Sequence, residues 1–90
     1  MSNKKDLKQI INYVCDELFA ECVAASIYNG TPDPKNVESL LTNIVLLKND
    51  FVNRISHPEP GLPAKKYYKI LKQDFHEQVQ EIIDCINNLN

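Results

Sequence analysis

Every glycine and proline in this chain falls in one of two short clusters. Asn29–Pro34 reads NGTPDP, and His57–Pro63 reads HPEPGLP. Proline removes a backbone donor and fixes φ, and glycine frees the backbone, so these residues punctuate regular structure. The two clusters cut the 90 residues into three uninterrupted stretches, each long enough for about six helical turns.

Each stretch carries helical periodicity. In the first, apolar residues stand at Leu7, Ile10, Ile11, Val14, Leu18, Cys22, Ala25 and Tyr28, the spacing of one helix face. Ser2 or Asn3 can cap its start, and Gly30 stands where a left-handed residue closes a helix. The second stretch opens with Asp33-Pro34, a capping residue followed by a proline suited to the first helical position. Val37, Leu40, Leu41, Ile44, Leu47, Phe51 and Ile55 form its stripe. Pro58 and Pro60 forbid continuation beyond Ser56. In the third, Tyr68, Leu71, Phe75, Val79, Ile82, Ile86 and Leu89 step by threes and fours. No window alternates like a strand.

The spacing predicts an all-α fold, one helical domain over residues 1–90 with helices at 4–29, 34–56 and 64–88. The expected arrangement is a three-helix up-down-up bundle, which a second copy can complete into a larger helical bundle. A helical pair that donates its third helix to a partner is the alternative. The expected core is Leu7, Ile11, Val14, Leu18, Leu40, Ile44, Leu47, Phe51, Phe75, Val79, Ile82 and Ile86.

The stretch YVCDELFAECVAASIYNG, residues 13–30, holds two of the three cysteines among acidic residues. On a helix Cys15 and Cys22 lie within about 20° of one another and about 10.5 Å apart along the axis. That separation exceeds the reach of a disulfide, and a zinc site needs ligands one turn apart or in CxxC form. Both therefore read as small core hydrophobes. Cys85 lies at the margin of the third stripe and can approach Cys22. Three cysteines without a framework spacing imply reduced thiols and a cytosolic setting, and the N-terminus has no signal-peptide pattern. No apolar run approaches the length of a membrane span. No metal or cofactor is expected.

The same stretch loses its polar side after Phe19. Ala20, Ala24 and Ile27 occupy the outer face that Gln9 and Asp16 hold earlier. A helix that is apolar all round is covered all round, and two neighbours cannot do that. Ala20, Val23, Ala24 and Ile27 are thus the expected centre of a homodimer interface, in antiparallel order, although alanine also tolerates water. Leu46 and Ile70 point away from their stripes as well.

Net charge is −2, too small to imply nucleic acid or membrane. Its layout is uneven. Lys4, Lys5, Lys8, Lys65, Lys66, Lys69 and Lys72 begin the first and third helices, and acids follow. Both orders oppose the helix dipole. Parallel first and third helices gather seven of the ten basic residues at one pole, beside Arg54. Lys4, Lys5, Lys8, Lys65, Lys66 and Lys69 are candidates for binding an anion there, and the Tyr67–Tyr68 pair among lysines suits single-stranded nucleic acid. There is no phosphate-cradling glycine loop and no hydrolase or metalloprotease motif. The expected role is that of a non-catalytic protein–protein association module, homodimeric or adaptor. A lysine-rich anion or nucleic-acid binder is the alternative. A pocket uniting His57, Glu59 and Tyr67 would instead point to an enzyme.

Overall fold

The structure is a computed structural model that describes residues 3–28, 30 and 32–89. Three helices account for most of it: α1 (Lys4–Tyr28), α2 (Pro34–Ser56) and α3 (Ala64–Asn87). No strand occurs among the described residues. Each helix end lies within one residue of its expected place. The two chain reversals make an up-down-up bundle, with α2 antiparallel to α1 and α3.

Local chemistry explains the ends. Asn3 caps α1, its Oδ1 accepting from the Asp6 N–H at 2.9 Å. Ser2 and Asn29 lie outside the described residues. Gly30 has φ 78°, the left-handed conformation that closes a helix without a Cβ penalty. Asp33 caps α2 through a 2.9 Å bond from the Lys35 N–H, with Pro34 in the first turn. Between α2 and α3, the Leu62 N–H reaches the Glu59 carbonyl at 3.4 Å. Pro60 and Gly61 (φ 86°) occupy the two central positions that a type II turn wants for these residues.

The end of α2 is satisfied from α3. The Tyr67 hydroxyl donates to the Arg54 carbonyl at 2.9 Å, and the Tyr68 hydroxyl donates to the Ile55 carbonyl at 3.1 Å. The last carbonyls of a helix have no intrahelical partner, so these two bonds answer groups that would otherwise be orphaned. The rings meet edge to face, their centroids 5.3 Å apart.

The core is a single apolar cluster. From α1 it takes Leu7, Ile11, Cys15, Leu18 and Cys22, and from α2 Leu40, Ile44, Leu47, Phe51 and Ile55. From α3 and its end come Leu71, Val79, Ile82, Ile86 and Leu89. Two expected core residues, Val14 and Phe75, are only partly buried and pack against this cluster. Phe75 meets the fully buried Phe51 edge-on at 5.2 Å. The Arg54 guanidinium covers the same Phe51 ring at 4.5 Å and bonds Asp74 of α3 at 3.1 Å. Arg54 is therefore a clamp between α2 and α3 and is not free at the basic pole.

Ile10 and Tyr28 belong to the apolar spacing of α1 but are exposed. Ile10 sits 100° from Ile11, and the core takes Ile11. The bundle as a whole is long, 48 × 19 × 16 Å, with a radius of gyration of 14.8 Å. Chains of this length ordinarily compact to about 12 Å.

Candidate functional site

The outer face of α1 is built by what the inner face leaves out. Leu7, Ile11, Cys15, Leu18 and Cys22 turn inward, so the residues opposite them must meet solvent. In the first half those include Asp6 and Gln9. In the second half they are Ala20, exposed, Ala24, half-buried, and Ile27, 69% exposed, with Val23 at the edge, 38% exposed. The structure brings these four onto one surface. Ser26, one of only two polar residues between Phe19 and Tyr28, turns its hydroxyl back to the Val23 carbonyl at 2.6 Å. That bond uses its one donor within the helix, and Glu21 remains the one charge in the stretch.

The surface is wider than the four residues. Phe19 and Tyr28 of α1 and Val45 of α2 are also exposed. An exposed ion pair marks the register in which α1 and α2 pack: Lys48 Nζ lies 3.4 Å from Asp16 Oδ1. Antiparallel helices in that register carry Phe19, three residues on from Asp16, level with Val45, three residues back from Lys48. Val45 stands a quarter-turn off the α2 stripe, and that offset was the available signal for its exposure. Tyr13 and Ile10 extend the exposed apolar surface toward the start of α1.

The cysteines are Cys15 and Cys22 on the core face of α1 and Cys85 on α3. All three are free. Burial pushes the Cys15 thiol up to about 11, with Lys48 pulling slightly the other way, and burial raises Cys22 too. Neither is a nucleophile near neutral pH. Cys85 is exposed and faces the seam between α2 and α3, where a hollow of about 400 Å³ is lined by Leu40, Leu46, Leu47, Ile82 and polar side chains. No group of three or more His, Cys, Asp or Glu among the described residues could hold a metal ion. No helix among them is long and apolar enough to cross a membrane.

The lysines begin α1 and α3 at the same end of the bundle. Lys65, Lys66 and Lys69 surround a shallow hollow with Pro63, Ile70 and Gln73 on the outside of α3. Lys4 lies in the crease between α1 and α3, with Tyr68 and Lys72. Lys5 and Lys8 line neither. Tyr67 and Tyr68 spend their hydroxyls on α2 carbonyls, and their rings meet edge to face. The Tyr67 hydroxyl meets His57 only at its backbone carbonyl, 3.5 Å away, and not at the imidazole.

Comparison of the chain with protein-family models, curated proteins and solved structures returned no match.

Proposed function

We propose that this chain is a non-catalytic protein–protein association module that works as a homodimer through the outer face of α1. One observation carries the reading: the second half of α1 presents Ala20, Val23, Ala24 and Ile27 to solvent, with its only serine hydroxyl donating to a carbonyl of the same helix. Large contiguous apolar surface on a small protein marks a contact. A second copy is the occupant because a twofold axis lets one self-complementary patch serve both molecules.

Sedimentation equilibrium at micromolar concentration tests the proposal. The expected result is a wild-type dimer and a monomeric Ala24→Glu variant of unchanged helicity. A wild-type chain that stays monomeric throughout removes the reading.

A further inference from the structure

The exposed residues of α1 have an order of their own. Ile10, Tyr13, Glu17, Ala20, Ala24 and Ile27 are separated by three, four, three, four and three residues. That is the a/d spacing of a coiled-coil seam, in which successive positions stay on one line along a supercoiled pair. It runs on the side of α1 turned away from the core. Tyr13 is 67% exposed and Ile10 50% exposed, so the line begins well before the Ala20–Ile27 patch and spans roughly 26 Å.

We infer that two copies pair their α1 helices as an antiparallel coiled coil in the register that sets residue 10 against 27, 13 against 24 and 17 against 20. This rests on the homodimer proposed above and names how its two copies meet. This is the register in which all six seam positions are paired. Ile10 meets the partner's Ile27, an aliphatic layer at each end. Tyr13 meets the partner's Ala24, so the largest side chain of the seam falls against a small one and the helices can approach closely. Glu17 meets the partner's Ala20, which leaves its carboxylate room to reach water beside the seam.

A parallel pairing fails on charge and on volume. It would set Glu17 against the partner's Glu17 in one layer, two carboxylates face to face at a desolvated seam. It would also stack Tyr13 on the partner's Tyr13 and leave two alanine layers unfilled. In the antiparallel register the two Glu17 side chains are offset by about 4.5 Å along the axis as well as across the seam.

Disulfide trapping reads the register directly, in the full chain with exposed Cys85 replaced by Ser and the buried Cys15 and Cys22 left in place. A disulfide forms only where Cα atoms come within about 7 Å. Tyr13→Cys and Ala24→Cys are each prepared alone and then mixed, with Ile10→Cys and Ile27→Cys as a second pair should either first variant lose its dimer. The expected result is a covalent dimer in each mixture and none from any single variant, since like positions lie about 16 Å or more apart. Single variants that cross-link to themselves overturn the register in favour of a parallel pair. A chain that sediments as a dimer but cross-links in neither mixture also overturns the register, while the homodimer stands. A monomeric parent removes both.

Discussion

At the scale of single residues, the cysteines illustrate how burial decides chemistry. Cys15 and Cys22 are enclosed on the core face of α1, where the thiolate would lose its hydration, and the Lys48 charge near Cys15 does not make up that loss. The consequence for stability has a definite sign. A thiol whose folded value stands above its unfolded one favours the native state only while it stays protonated. For Cys15, the contribution is complete below about 9.0 and is lost as pH rises toward about 11. Chemical unfolding from pH 8 to 11 should show stability declining across that window, and Cys15→Ala should flatten the decline. An unchanged alkaline slope in the variant would remove Cys15 as its source. The exposed Cys85 behaves differently. A thiol reagent at neutral pH should label one cysteine quickly and two only on unfolding.

At the scale of elements, the helices were legible because their punctuation is concentrated. Asp33-Pro34 and the Pro58–Pro63 run leave little freedom in where α2 can start and stop. Core assignments followed from periodicity wherever the stripe is narrow, as for Leu40, Ile44, Leu47 and Phe51. They failed at Val14 and Phe75, which periodicity places in the core and three-dimensional packing leaves only partly buried. The candidate face was legible at Ala20, Val23, Ala24 and Ile27 as a missing polar side. Its extension to Phe19 and Val45 was not, because it depends on the register in which α1 packs on α2, which the Asp16–Lys48 pair marks. The roles of Tyr67 and Tyr68 were hidden for the same reason, since the carbonyls they serve stand 13 residues earlier in the chain. Burial also separates two phenylalanines that look alike in sequence. Phe51→Ala should cost about 3–5 kcal/mol, because the ring is fully buried and both Phe75 and Arg54 rest on it. Phe75→Ala, at a partly buried position, should cost less. Urea unfolding of the two variants checks the order, and equal losses would contradict this account of the α2–α3 contact.

At the scale of the whole molecule, shape and stability are linked. The bundle is long and thin, its radius of gyration is 14.8 Å, and α3 packs more loosely on its neighbours than α1 and α2 pack on each other. A slender core of this size supplies little stability beyond what conformational entropy removes. Burying the outer face of α1 against a second copy adds to the native state and nothing to the unfolded one, so stability must then depend on protein concentration. Each tenfold rise in concentration favours a dimer over two unfolded chains by about 1.4 kcal/mol, or about 0.7 kcal/mol per chain. With an unfolding entropy near 2.1 cal/mol/K per residue, that corresponds to a midpoint shift of about 3–5 °C for a chain of this length. Thermal unfolding followed by circular dichroism from about 5 to 500 μM should therefore move the midpoint upward by roughly 6–10 °C. The Ala24→Glu chain places a charge in the centre of the face, so its midpoint should stay constant over the same range and lie below that of the parent. A parent midpoint that does not move with concentration would mean that the second copy contributes nothing to the folded state, and that the face on α1 is open to water in the working molecule.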